Sequence, residues 1–158
     1  MEKRKGRAKK AVLGLVVVVV AALLTIGGYQ LHTQAQADKK AEMEAQILQR
    51  ENAFRENAGL TPLKLDEGLD AAADVRASES AVRFSHTRPT GQAWWTVNPD
   101  LVYGENLSTG YSSGDQIVSA WMRSAGHKEN IMDAEFTTCG ISVYNAGGTW
   151  YCAQTFGY

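Results

Sequence analysis

The distribution of apolar and polar residues divides the chain into three parts. Residues 11–29 are almost continuously apolar, residues 30–44 are mainly polar, and residues 45–158 alternate short apolar patterns with turns. An α-helix rises about 1.5 Å per residue, so the apolar run would reach about 28 Å, close to the hydrocarbon core of a bilayer at about 30 Å. We therefore predict a transmembrane helix at residues 11–29, a polar stalk at 30–44 and one folded domain at 45–158.

Apolar residues at helical spacing predict two helices in the first half of the domain. The first helical pattern begins near Ala41 and stops before Gly59, a residue suited to the left-handed position that follows a helix. Asp66 can cap the second helix. Its inner side follows a spacing of three to four residues and comprises Leu69, Ala72, Ala73, Arg76, Ala77 and Ser80.

A third helix is predicted after a long irregular segment, residues 85–112. Ser113 and Gln116 match a capping box, in which the first side chain bonds the backbone three residues later. The helix is expected to continue through Ala125, where the following glycine interrupts it. Residues 127–132 then form a further short turn.

The C-terminal segment predicts a β-hairpin. Residues 138–144 and 149–156 are rich in β-branched and aromatic side chains, and they flank the turn-forming segment 145–148. Helices followed by a small sheet are typical of an α+β domain. No internal repeat is visible.

Basic residues before the apolar run determine its orientation. Residues 1–10 contain six of them, which favours a cytoplasmic N-terminal tip and an extracellular C-terminal domain on a single-pass signal anchor. A cleaved signal peptide is the alternative, because Ala35-Gln36-Ala37 fits the small-residue pattern before a cleavage site. The domain is then secreted. In both cases it lies outside the cytoplasm.

The net charge of −1 conceals an uneven distribution of charge. Residues 1–10 carry +5, and the rest of the chain carries −6. An acidic domain lacks the basic face that neutralises phosphates, so nucleic acid is excluded as a partner. The membrane is the partner expected for the N-terminal helix.

The two cysteines, Cys139 and Cys152, lie on either side of the predicted hairpin turn. Outside the cytoplasm a lone pair of cysteines favours a disulfide, which we predict here. Direct pairing across the hairpin needs a turn centred on Asn145-Ala146, a longer asymmetric loop or a bulge. A turn at Gly147-Gly148 would misalign the two residues.

Ionisable side chains in three separate segments are the candidates for chemistry. His86, Glu105 and His127 all lie beside breaks in the pattern, at spacings that do not by themselves bring them together. If they converge, two imidazoles and one carboxylate make an open site for zinc or another divalent cation. H-E-x-x-H is not present, so no established zinc-protease arrangement is visible.

Five blocks, in order along the chain, carry a resemblance to a known family. They are Asn52-Ala-Phe-Arg-Glu-Asn-Ala-Gly-Leu-Thr-Pro-Leu63, Phe84-Ser-His-Thr-Arg-Pro89, Tyr103-Gly-Glu-Asn-Leu107, Ala120-Trp-Met-Arg-Ser-Ala-Gly-His-Lys-Glu-Asn-Ile131 and Gln154-Thr-Phe-Gly157. The chain resembles the CAP superfamily of cysteine-rich secretory proteins, antigen 5 and plant pathogenesis-related proteins, and especially its short bacterial SCP-like members. The resemblance covers about residues 45–158.

The resemblance implies an α-β-α sandwich with a small central antiparallel sheet and an extracellular location. It also implies a cleft lined by two histidines and two acidic residues, which holds a divalent metal in some members. His86, Glu105 and His127 occupy three of the four positions. The fourth is normally a Glu three residues after the helix Trp, and Ser124 stands there after Trp121. Only one carboxylate then remains to attract a cation.

Three further side chains are expected to support this cleft. Arg76 pairs with a carboxylate under the loop, and Asn106 holds the loop through side-chain-to-backbone hydrogen bonds. Asn130 caps the turn that follows His127.

Three functions fit the sequence, and the first is our prediction. It is a surface-displayed or secreted module that binds a small molecule, lipid, glycan or protein near His86, Glu105 and His127. The second is a metal-assisted hydrolase, in which Glu105 acts as base on a metal-bound water or His86 activates a serine. The third is a structural domain of the cell envelope. Because a family fixes the fold better than the activity, we assign no catalytic residue.

Overall fold

The computed structural model describes the backbone of residues 2–158 and the side chains of residues 28–158. The helices are α1 (Glu2–Asn57), α2 (Glu67–Val82), α3 (Gly114–Trp121) and α4 (Ala125–Met132), and a 3-10 turn spans Trp94–Val97. The strands are β1 (Lys64–Leu65), β2 (Gly104–Thr109), β3 (Thr138–Ala146) and β4 (Thr149–Gly157). The chain forms two compact units, Met1–Asp38 and Lys39–Tyr158.

The polar residues 30–44 are helical and belong to α1, so the helix does not begin near Ala41 as the pattern predicted. Within residues 28–158, no helix is both long enough and apolar enough to cross a membrane. The predicted transmembrane helix at residues 11–29 lies almost entirely outside that range. It stays a prediction, as do the basic tip and the cleavage site after Ala37.

The four strands form one sheet in the order β1-β3-β4-β2. β3 pairs with β4 and β2 pairs with β4 in antiparallel fashion, whereas β1 runs parallel to β3. The predicted hairpin is confirmed. The predicted small antiparallel sheet is confirmed for β2, β3 and β4, and β1 adds one parallel pair, because this strand reaches β3 through most of the domain and not through a hairpin turn.

The hairpin register rules out the predicted disulfide. Cys139 lies opposite Phe156 and Cys152 lies opposite Val143, so the cysteines share a face but are four residues out of register. That offset is about 13 Å along a strand, and a disulfide requires Cα atoms within about 7 Å. The turn sits at Gly147-Gly148, where φ is 60° and 90°. The prediction is wrong, and both cysteines are buried free thiols.

Helices cover both faces of the sheet, as expected for an α-β-α sandwich. α2 lies on one face and buries the predicted inner side: Leu69, Ala72, Ala73, Arg76, Ala77 and Ser80. Gly140 of β3 permits this close approach, because a Cβ there would collide with the backbone of Leu69. On the other face, residues of α1, α3 and α4 pack against β3 and β4. This core includes Met43, Ile47, Ile117, Val118, Trp121, Ile131, Ile141, Val143 and Phe156.

Two local predictions differ from the structure. The segment 85–112 is not wholly irregular, because it contains β2, which pairs with β4 along its whole length. The break between α3 and α4 falls at residues 122–124 and not at Gly126, which lies inside α4. Ser113 does cap α3, since its side chain accepts a hydrogen bond from the backbone N–H of Gln116.

Candidate functional site

Alternation along β2 sends successive side chains to opposite faces of the sheet. Glu105 points to the α2 face, where Arg76 bonds it, and Asn106 points to the face covered by α4. Glu105 is only 4% exposed. A buried carboxylate needs partners for its charge, and α2 supplies them.

Arg76 is fully buried and holds Glu105 with two hydrogen bonds. Its Nε lies 2.5 Å from Oε2 of Glu105, and its Nη2 lies 3.2 Å from Oε1. Nη1 bonds Glu79 at 2.6 Å, and Nη2 also donates to the carbonyl oxygen of Ser85 at 2.8 Å. Arg88 continues the chain of charges, with Nη2 at 2.7 Å from Glu79. The expected role of Arg76 is confirmed, whereas Glu79 and Arg88 were not anticipated.

This network fixes the orientation of His86. Its Nδ1 lies 2.7 Å from Oε1 of Glu105. Glu105 faces a guanidinium and is therefore an acceptor, so Nδ1 carries the proton and donates. In the neutral ring Nε2 carries the lone pair, and in the protonated ring both nitrogens donate. The His86 side chain is 54% exposed, so Nε2 is accessible from solvent.

His127 lies on α4, on the other side of β2. Its carbonyl oxygen accepts a hydrogen bond from Asn106 Nδ2 at 3.1 Å, and its ring lies 6.3 Å from that of Trp121. Burial lowers the pKa of His127, and the charge on neighbouring His86 lowers it further. The two imidazoles are therefore close enough to influence each other, and the neutral form of His127 is favoured.

Asn130 ties α4 to β2. Its Nδ2 donates to the carbonyl oxygen of Glu105 at 3.2 Å and to Oδ1 of Asn106 at 2.9 Å. Asn130 therefore joins the helix to the strand, and the expected turn-capping bond is not seen among the described residues. Asn106 acts as expected, through a side-chain-to-backbone bond. Together these bonds fix His127 relative to Glu105.

The metal site predicted at His86, Glu105 and His127 stays a prediction. Within residues 28–158, no three His, Cys, Asp or Glu side chains are placed to hold a metal ion. Both carboxylate oxygens of Glu105 already accept hydrogen bonds from Arg76 or His86. In this geometry Glu105 therefore orients His86 and pairs with Arg76.

Residues 48–156 match the family model described as "Cysteine-rich secretory protein family", or CAP. The chain belongs to this family. It is 30% identical over 114 residues to the protein YkwD of Bacillus subtilis, covering 68% of this chain and 44% of that protein.

Solved CAP-related structures agree with the fold. An extracellular protein of Bacillus anthracis with an SCP domain superposes with a TM-score of 0.67 at 23% identity, over 75% of this chain and 41% of that one. An outer surface protein of Borrelia burgdorferi gives a TM-score of 0.62 at 19% identity, over 70% of this chain and 88% of that one. The chain thus spans less than half the length of YkwD and of the B. anthracis protein.

Proposed function

We propose that this CAP domain is an extracytoplasmic ligand-binding module, with the ligand held at the cleft between His86 and His127. One observation carries the proposal. Both oxygens of the Glu105 carboxylate accept hydrogen bonds from Arg76 or His86, which supports a role in holding the imidazole in place. What remains accessible is Nε2 of an oriented histidine beside a second, largely neutral histidine, which suits recognition of a hydrogen-bonding ligand.

Hydrolysis is less well supported by the same geometry. A general base must reach the proton that it removes, and Glu105 is buried and already bonded on both oxygens. The serine hydroxyl nearest to His86 in sequence, that of Ser85, accepts a hydrogen bond from the backbone N–H of Thr87 and caps a turn.

The sequence and the relatives support a location outside the cytoplasm. Proteins of similar fold include an extracellular protein and an outer surface protein. We propose that residues 11–29 anchor the chain in the membrane, with residues 1–10 in the cytoplasm and the domain outside. Cleavage after Ala37 would instead release it. The ligand classes that fit the proposal are small molecules, lipids, glycans and proteins. The net negative charge of residues 11–158 disfavours nucleic acid.

Imidazole NMR on the full chain in non-ionic detergent micelles tests the proposal. The side-chain resonances of His86 and His127 are followed during titration with three probes: zinc chloride, chitin oligosaccharides and phosphatidylglycerol micelles. We expect one organic probe to shift both histidines saturably while leaving His32, which lies outside the domain, unchanged. Calorimetry then compares the His86→Ala, His127→Ala double variant with a His32→Ala control.

The three functions give different outcomes. An organic probe that binds wild type and the His32→Ala control, but not the double variant, supports a ligand cleft. Zinc binding that is accompanied by loss of the Arg76–Glu105 bond would support the predicted metal site and the metal-assisted hydrolase. No response of either histidine to any probe would favour a structural domain of the envelope and count against the proposal.

A further inference from the structure

A second groove, of about 470 Å³, lies between α1 and the β1–β3 edge of the sheet. Its lining includes none of the residues of the histidine cleft. The walls are mainly apolar, and they include Leu48 of α1, Leu65 of β1 and Ile141 of β3. Leu65 is 54% exposed and contributes apolar surface to the groove. Glu44 and Asp70 are the charged residues of the lining.

The edge of β3 along this groove has no strand partner among the described residues. β1 pairs only with Thr138 and Cys139, while β3 continues to Ala146. Two carboxylates take the place of the missing strand. The N–H of Ile141 donates to Oδ1 of Asp70 at 2.9 Å, and the N–H of Val143 donates to Oε1 of Glu44 at 3.0 Å.

Hydrogen-bond acceptors dominate this edge. The carbonyl groups of Ile141 and Val143 point to the same side as their N–H groups, and they repeat at about 7 Å along the strand. Each capping carboxylate uses one oxygen for its N–H and has a second oxygen. The nearest cation, Lys40, lies 3.5 Å from Glu44, but it also bonds Asp74 at 2.8 Å and Ser142 at 3.1 Å. An occupant must therefore supply donors and positive charge.

We propose that this groove binds an extended basic peptide, which adds to the edge of β3 beyond the end of β1. The apolar walls accept alternate side chains of the peptide, and Lys or Arg side chains between them pair with Glu44 and Asp70. Its backbone N–H groups donate to the strand carbonyls. Its backbone carbonyls replace Asp70 and Glu44 as acceptors for the N–H groups of Ile141 and Val143, which frees both carboxylates for the cationic side chains. The strand repeat of these carbonyls favours a peptide over a small amine, since an added strand presents donors at the same interval.

Fluorescence anisotropy with the full chain in non-ionic micelles tests this site. The probe is a labelled short peptide of alternating Val and Lys. It is compared with an alternating Val and Glu peptide, and with a Val and Lys peptide N-methylated at alternate amides. The test variant is Glu44→Gln with Asp70→Asn, whose amide oxygens still accept from Ile141 and Val143. The control is Glu42→Gln with Glu67→Gln, exposed carboxylates on the same two helices.

We expect the Val and Lys peptide to bind wild type and the control alike, and the test variant about tenfold more weakly through loss of two partly exposed ion pairs. N-methylation should weaken binding further, because it removes backbone donors. Equal binding by the test variant, equal binding of the acidic peptide, or no effect of N-methylation would each overturn the proposal. Thermal unfolding of both variants near the wild-type temperature confirms that folding is unchanged.

Discussion

Glu51 on α1 carries the strongest prediction about stability. It is completely buried, and Gln154 Nε2 donates to its Oε2 at 2.5 Å. Within the described residues, Oε1 of Glu51 and Oε1 of Gln154 have no hydrogen-bond partner. Burial raises the pKa of Glu51 to about 8, and the hydrogen bond from Gln154 and the charge of Arg55 only partly oppose it. The folded state therefore prefers a protonated Glu51.

The expected size of the effect follows from linkage. The folded pKa is about 8 and the ordinary value is 4.5, so this group favours folding fully below pH 4.5 and loses that contribution as the pH rises to about 8. Each unit of difference corresponds to about 1.4 kcal/mol, so the loss is about 5 kcal/mol over the whole range and about 3 kcal/mol at pH 7. Glu51→Gln cannot ionise, and its amide can donate to the unpaired oxygen of Gln154.

Urea unfolding followed by Trp fluorescence between pH 5 and 9 measures this effect. Glu51→Gln is expected to be more stable than wild type at pH 7 by about 3 kcal/mol, with the difference growing up to about pH 8. Glu42→Gln, at an exposed position on the same helix, serves as the control and should follow wild type. A difference between Glu51→Gln and wild type that is independent of pH, or a less stable variant at pH 8, would refute the reasoning.

Three further predictions concern the cleft and the thiols. Arg76→Met strands the buried carboxylate of Glu105 and should cost about 3–5 kcal/mol in urea unfolding, and an unchanged stability would contradict the ion network. NMR titration should place the midpoint of His127 below 6.5, and His86→Ala should raise it, because a neighbouring positive charge is removed. Both cysteines should resist a thiol reagent in the native state and react without reductant once the protein is unfolded; cysteines that react only after a reductant is added would contradict the register.

Short-range patterns in the sequence predicted the local elements well. The spacing of Ala and Leu in α2 identified its buried side, and Ser113 marked the start of α3. Both depend on contacts within one helical turn, which sequence spacing encodes directly. Paired glycines likewise marked the hairpin, since Gly147 and Gly148 adopt positive φ there. The family blocks pointed to the sandwich and to the histidines of the cleft.

Strand β2 and the pairing of the cysteines could not be derived in this way. β2 is stabilised by its pairing with β4, in which Glu105 lies opposite Thr155, fifty residues away. No local periodicity therefore predicts this strand. The position of Cys139 relative to Cys152 depends on which residues form the turn. A shift of the turn by two residues moves the cysteines out of bonding range, and the sequence permits both turns.

The sequence by itself determined most of the helices, the hairpin and the family, and it singled out His86, Glu105 and His127. Only the tertiary structure decided how those side chains are held. Arg76, from another layer of the sandwich, bonds both oxygens of Glu105. A buried charge is costly unless it is paired, so the role of a buried carboxylate depends on its partners. Partners that are distant in the chain are brought together only by tertiary packing.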